Sequence, residues 1–275
     1  MFELEINLRC KTIQGEQEFS VFDGERLAAK ARTFSDGLFS TWFSGFNVTP
    51  EYERFRIGQL LIKMIDDRFP HTAVFVNASK TQTPAFIDSG FVVKRQLICC
   101  QRLRRCSIVE TSKGFSDNQR GVEKSEMAME NENIRIEETT ANVTQDALTN
   151  VYVSVNFGKH ENYKDLHDMV AGMFGPGVFG FFAFDNENLI GLARVYSDDY
   201  SVAWIAEICV QTDYQKKGIG SALLKRVNER FQHTDLYAQP FVGQEAFCIK
   251  GGIPVSPKLA VCGRASIHAK NAGKA

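Results

Sequence analysis

Two stretches of this chain lie over each other without a gap. When VTPEYERFRIGQLLIKMIDDRF, beginning at Val48, is set over VQTDYQKKGIGSALLKRVNERF, beginning at Val210, the residues Val, Tyr, Ile, Gly, Leu, Lys, Arg and Phe coincide. Self-similarity constrains a fold more than composition does, because each copy must build the same local unit. The chain reads as a duplication.

Each copy carries the same order of signals. In the second, VFGFFAFD and LIGLARVYSDD read as strands joined by the turn NEN, and AWIAEICV reads as a third, because β-branched and aromatic residues lie between turn clusters. A helix follows, with Ile219, Leu223, Val227 and Phe231 as one apolar stripe; Ile57, Leu61, Ile65 and Phe69 form its counterpart. An apolar strand comes next, Asp235 to Ala238 or Thr72 to Val76, then a short helical segment. The stretches GGIPVSPKLAVCGR and GFVVKRQLICCQR read as closing strands of their own copies. The second copy opens with strand-like IRIEE and two helices, around Gln145 to Val155 and Tyr163 to Met173, for which the first copy lacks room. The polar stretch Ser107 to Glu132 has the composition of a linker. The expected organisation is residues 1–105, a linker over 106–133, a second domain over 134–267 and a tail from 268.

The 32 basic and 33 acidic residues balance, which argues against a general nucleic-acid-binding surface, so any anion site must be local. The longest apolar run, Val178 to Phe184, is too short to span a bilayer, and the N-terminus has no leader pattern; a cytoplasmic protein is expected. Seven cysteines are an odd number, and Cys99, Cys100 and Cys106 lack paired zinc-ligand spacing. With five scattered histidines, neither a disulfide framework nor a metal site is expected.

Gln215-Lys216-Lys217-Gly218-Ile219-Gly220 stands between a strand and the amphipathic helix. A helix N-terminus favours acidic neighbours, so two lysines there oppose the usual preference, and a bound anion reconciles them. Gly218 and Gly220 remove side chains where a pyrophosphate would touch the backbone, and the first-turn amides would donate to it. The lysines read equally well as a solvated surface pair.

With the preceding strand and following helix, this motif resembles the acetyl-CoA-binding motif of the GNAT superfamily of N-acetyltransferases, strongly over about 130 residues and weakly over the first hundred. The wider stretch is similar to that family's small-molecule enzymes, including bacterial proteins related to plant serotonin acetyltransferases. The resemblance implies an α+β or α/β fold of two GNAT-like domains, each a mixed, mostly antiparallel twisted sheet flanked by helices. It also implies acetyl-CoA as cosubstrate, with no metal, and direct transfer to an amine. The implied cofactor-binding residues are Ile208, Cys209, Val210, Gln215, Lys216, Lys217, Gly218, Ile219, Gly220 and Ser221, with Ile208 to Val210 beside the pantetheine arm where neighbouring strands splay.

Glu207 is the only acidic residue in AWIAEICV, and alternation sets it and Cys209 on the face opposite Ile208 and Val210. Relatives of the serotonin-acetyltransferase type carry an acidic residue at the matching place, which nominates Glu207 as general base through water; a structural carboxylate paired with Lys or Arg is the other reading. Cys248 falls where the family often has a tyrosine acid. A thiol, with a reference pKa of about 8.5, gives up a proton near neutrality, but packing and regulatory readings stay open, as do Tyr237 and Tyr214 as substitutes. The segment PFVGQEA is shortened and lacks the asparagine often found there, which puts contacts to the CoA arm in doubt.

The first copy departs at each of these places: Arg56 replaces the first glycine, Glu53 the glutamine, Gly45 stands opposite Glu207 and Phe86 opposite Cys248. It is expected to bind no CoA and to pack against the second copy as family dimer subunits do, in a monomer with pseudo-dimeric halves or a homodimer. A small-molecule amine is the favoured acceptor, with Phe157, Tyr163 and Phe174 as either pocket lining or core. The alternatives are a non-catalytic CoA-binding or interaction module, a protein N-acetyltransferase, and a longer acyl group.

Overall fold

The computed structural model describes residues 5–13, 15–104 and 134–266. The first half runs β1 (Ile6–Ile13), β2 (Glu16–Asp23), β3 (Arg26–Ser35), β4 (Ser40–Val48), α1 (Ile57–Arg68), β5 (Ala73–Ser79), α2 (Thr83–Asp88), β6 (Val92–Val93) and β7 (Cys100–Arg102). The second runs β8 (Ile134–Glu137), α3 (Gln145–Ser154), α4 (His160–Tyr163), α5 (Met169–Met173), β9 (Val178–Asp185), β10 (Asn188–Ser197) and β11 (Val202–Val210). It continues through α6 (Ile219–Arg230), β12 (Asp235–Ala238), α7 (Glu245–Lys250) and β13 (Leu259–Arg264). The linker and tail expected at 106–133 and 268–275, with Cys106, lie outside the described residues.

The repeat sets the local structure. In α1 the buried residues are Ile57, Leu61, Ile62 and Ile65, and in α6 their counterparts Ile219, Leu223, Leu224 and Val227, one apolar stripe laid on each sheet. The same bulge interrupts the same strand twice. Arg194 opposes Glu207 while Val195 opposes Ile205, which leaves Ala206 without an opposite residue; Arg32 opposes Gly45 and Thr33 opposes Phe43, which leaves Ser44.

The closing strands are not where the sequence reading puts them. The sheets have the orders β1-β2-β3-β4-β5-β13-β6 and β7-β12-β11-β10-β9-β8, so each half gives its last strand to the other. The exchange is reciprocal to the residue. Cys262 pairs with Val76 on β5, and Cys100 pairs with Ala238 on β12, equivalent positions in the ungapped repeat. Arg264 donates to the carbonyls of Phe69 and Thr72, and Arg102 to those of Phe231 and Thr234. Hydrophobic alternation predicts a strand but not which sheet receives it, and both sheets gain a paired edge this way.

Between the halves lies an aromatic stack with the palindromic order Phe75, Trp42, Trp204, Tyr237, with ring centroids 4.6, 5.0 and 4.8 Å apart. Phe34 stacks on Tyr196 beside it at 6.2 Å. Residues equivalent in the repeat meet each other here, the self-complementary pattern of a twofold interface. Each such pair adds roughly 0.5–1.5 kcal/mol beyond its burial.

The halves differ on the sheet face away from α1 and α6. In the second half α3 and α5 cover that face, packing Leu148, Val151, Met169 and Met173 on Phe182, Leu192 and Cys209. In the first half, Glu16, Glu18, Lys30 and Arg32 pair with one another on β2 and β3. The single helix expected over Tyr163 to Met173 is two short pieces, α4 and α5. Asp168, at φ 57°, turns the chain into the left-handed region that Asp tolerates, and this breaks the helix.

Candidate active site

The turn after β11 is shaped by backbone rather than side chains. Lys216 (φ 62°) and Gly218 (φ 83°) both take the left-handed conformation, and Gly218 caps α6 without a side-chain hydrogen bond. Among the described residues, no acceptor faces the amides of Ile219, Gly220 and Ser221. Gln215 Nε2 donates to the Val210 carbonyl at 3.0 Å and ties the turn to the strand end. Ile219 is buried, whereas Lys216, Lys217 and Ser221 are exposed, and Lys217 Nζ lies 5.0 Å from the Tyr214 ring centre. Amides on a left-handed turn at a helix N-terminus form a concave donor site for an anion.

Beside this turn the sheet opens. The parallel register of β11 with β12 ends at Ile205 opposite Ala238, while β11 runs on through Ile208, Cys209 and Val210. Ile208 and Val210 pack toward α6 and Cys209 toward α3 and α5, the alternation expected from sequence. Cys209 is buried, and burial pushes its thiol well up.

Glu207 follows the bulge and ends a chain of buried polar groups. Its Oε1 accepts from Tyr152 Oη at 2.7 Å and from Arg194 Nε at 2.6 Å, and its Oε2 accepts from Arg194 Nη2 at 3.0 Å. Arg194 Nη1 donates to Oδ2 of Asp36, in the first half, at 2.6 Å; Tyr196 Oη donates to the same oxygen at 3.0 Å. The other Asp36 oxygen accepts the amides of Leu38, Phe39 and Ser40. Burial alone would lift the Asp36 carboxyl, but the Arg194 charge and these hydrogen bonds outweigh it and hold its pKa below the ordinary carboxylate range. Burial, then the Glu207 charge, drives the Tyr152 phenol well up, so it stays a donor.

The Tyr152 ring stacks between Phe157 and Tyr163, at 6.3 and 5.9 Å, while Phe174 packs edge-on against Phe182. Two of the three aromatic residues singled out from sequence therefore flank the Glu207 partner, and the third is core. Sequence reasoning missed Arg194, Asp36 and Tyr152. The available signal was the ungapped repeat itself, which places ARVYSD over ARTFSD and Arg194 and Asp198 over Arg32 and Asp36.

Cys248 lies on α7. It is buried under α6 beside Cys100, and burial pushes its thiol up to about 12. A thiol so placed fits the packing reading that the sequence leaves open beside the acid role. Tyr237, also pushed up to about 12 by burial, lies in the interface stack with Gln101 donating to it. Tyr214 Oη donates to Asp185 at 3.0 Å.

The first half has this site closed. Arg56 keeps the left-handed turn at φ 58° but carries a side chain there, and it accepts the Gln59 amide at 3.0 Å. Gln82 Nε2 donates to the Phe46 carbonyl, the equivalent of Ile208, at 3.1 Å, so that carbonyl is already engaged. Phe86, in place of Cys248, is fully buried.

A family model described as the acetyltransferase (GNAT) family matches residues 144–243. The second half of the chain carries the GNAT family match. Its matched segment runs from the cap of α3 past the Gly218 turn and β12, and so takes in Tyr152, Arg194 and Glu207. No curated protein matches the chain. Among solved structures, a tandem GNAT protein from the clavulanic acid biosynthesis pathway is 11% identical, with 91% of this chain and 83% of that one covered and a TM-score of 0.49. A GCN5-related N-acetyltransferase from Sphaerobacter thermophilus is 13% identical over 90% and 80%, with a TM-score of 0.47. A GNAT-family acetyltransferase from Streptococcus pneumoniae is 24% identical over 37% and 70%, with a TM-score of 0.28.

No helix among the described residues is long and apolar enough to cross a membrane. Among the same residues no group of three or more His, Cys, Asp or Glu side chains is placed to hold a metal ion.

Proposed function

We propose that the GNAT domain transfers an acetyl group from acetyl-CoA to the primary amine of a small molecule, with the first half as its structural partner. The observation that carries this reading is the asymmetry between the two turns. One has a left-handed glycine, unmatched amides and an open strand splay; the other has Arg56 and a strand carbonyl already taken by Gln82. Residues 215 to 221 would hold the diphosphate, and the splay along Ile208 to Val210 the pantetheine arm.

The amine nitrogen attacks the thioester carbonyl carbon, the carbon–sulfur bond breaks, and CoA leaves as a thiolate that takes up a proton. Glu207 is the base in this reading, accepting the amine proton through water. Tyr152 and Arg194 use three of its roughly four lone-pair positions, and the one left on Oε2 is held in a fixed direction. No side chain is assigned as the acid. Phe157, exposed beside Tyr152, suits an apolar acceptor body. The palindromic interface fits a monomer whose halves pack as dimer subunits do, and six free cysteines among the described residues fit a cytoplasmic setting.

The test is CoA thiol release by the full-length chain with small amines, peptides and a series of acyl-CoAs, together with calorimetry. Amine-dependent release and one CoA equivalent per chain are expected. CoA binding without release under any acceptor leaves a binding module, release with peptides alone a protein acetyltransferase, and two equivalents would overturn the structural role of the first half.

A further inference from the structure

The repeat leaves one ionic site complete in the second half and stripped of its carboxylate in the first. At the end of α6, Arg230 donates through Nη1 and Nη2 to the two oxygens of Asp199, both at 2.7 Å, and His233 Nε2 lies 3.3 Å from the same carboxylate. In the ungapped alignment Arg68 stands for Arg230, His71 for His233, and Gly37 for Asp199. The backbone has not changed with the side chain. Gly37 keeps the left-handed conformation at φ 70°, against 52° for Asp199. A Cβ added at Gly37 would meet nothing within 4 Å.

What stands there instead is a cavity of about 510 Å³. Arg68, His71 and Gly37 of the first half and Gly172 and Pro176 of the second are among its lining, as is Asp36, whose carboxylate is held by Arg194. Among the described residues Arg68 has no ion pair; its guanidinium lies 5.8 Å from the Phe69 ring centre, as that of Arg230 lies 5.1 Å from the ring of Phe231. The second half thus supplies an internal template, a carboxylate gripped by an arginine fork, and the first half presents the fork with the space and without the carboxylate. We propose that this cavity binds a small carboxylate-bearing molecule, whose carboxylate takes the position on Arg68 that Asp199 takes on Arg230. A guanidinium fork takes a carboxylate or a phosphate through two parallel donors, and the carboxylate is singled out here because Asp199 fills the equivalent position on Arg230. The site lies between the halves, apart from the Gly218 turn, and does not depend on the acetyl transfer proposed above.

The experiment measures thermal stabilisation and calorimetric binding of the full-length chain with acetate, succinate and inorganic phosphate, each balanced against chloride at equal ionic strength. Saturable stabilisation by acetate or succinate is expected in the wild type, with affinity at least about tenfold weaker in Arg68→Ala. Gly37→Asp restores the internal carboxylate in a conformation Asp adopts at 199, so it should fold, gain stability and lose the response. Asp199→Gly should gain a second carboxylate site. A wild type and a Gly37→Asp variant that respond alike overturn the proposal, as does a response to phosphate alone.

Discussion

Arg194 of the second half donates to Asp36 of the first at 2.6 Å, and both side chains are almost wholly buried, at 4% and 0% exposed. The same guanidinium holds both oxygens of Glu207, so the first half reaches the candidate base through one intervening residue. A looser mate, Arg32 with Asp198 at 3.7 Å, joins the equivalent positions in the other direction.

Removing one partner of a buried ion pair leaves an uncompensated charge, which typically costs about 3–5 kcal/mol. Asp36→Ala should therefore destabilise the chain by roughly that amount in urea unfolding. The milder Asp36→Asn should fold, and a loss under about 1 kcal/mol for both would show that the pair is not seated as described.

Acid should reveal the same carboxylate. A folded pKa held below the ordinary Asp value of about 3.9 contributes stability that is present above that value and lost as pH falls through the folded pKa. Urea midpoints of the wild type should fall below about pH 4, and the difference from Asp36→Asn should shrink across that range. A difference that stays constant with pH would count against the assignment.

Glu207→Gln preserves shape and removes the proton acceptor. The expected result is a fall in kcat of roughly 10²–10⁴ with little change in the affinity for acetyl-CoA. Unchanged kcat would return Glu207 to a purely structural role.

At Gly218 a β-branched side chain must enter the left-handed region, at a cost of about 1–2 kcal/mol, and would block the backbone's approach to a diphosphate. Gly218→Val should weaken CoA binding by more than about tenfold in calorimetry. Wild-type affinity in a folded Gly218→Val chain would remove the basis of the enzyme assignment.

Cys248→Ser tests the acid role. With the thiol buried beside Cys100, the substitution should leave the pH profile of kcat in place, and the measured change should be a modest loss of stability. A displaced basic limb of the profile would restore the thiol to the chemistry.

Local pattern was readable and pairing across distance was not. The α1 and α6 stripes and the alternation of Ile208 to Val210 follow from spacing of apolar residues, which the sequence displays directly. Asp168 breaks the expected Tyr163 to Met173 helix because its φ is chosen by packing, to which helix propensity is blind. Glu207 was visible as the lone acid of its strand. Its partners were not, because Tyr152 lies on α3 and Asp36 beyond a whole domain, and only superposing the repeat links ARTFSD to ARVYSD. Cys248 stayed open between acid, packing and regulatory readings because side-chain identity says nothing of the depth at which α7 seats it.

The traded edge strands make the two halves a clasp that the polypeptide between them does not need to maintain. A protein severed anywhere from residue 105 to 133 would leave each fragment gripping its neighbour's sheet through β7 and β13, so the pieces should purify together. Expressed singly, neither gene fragment encodes a complete sheet, and a truncated second half would carry the exposed edge of β12 where Cys100 to Arg102 belong.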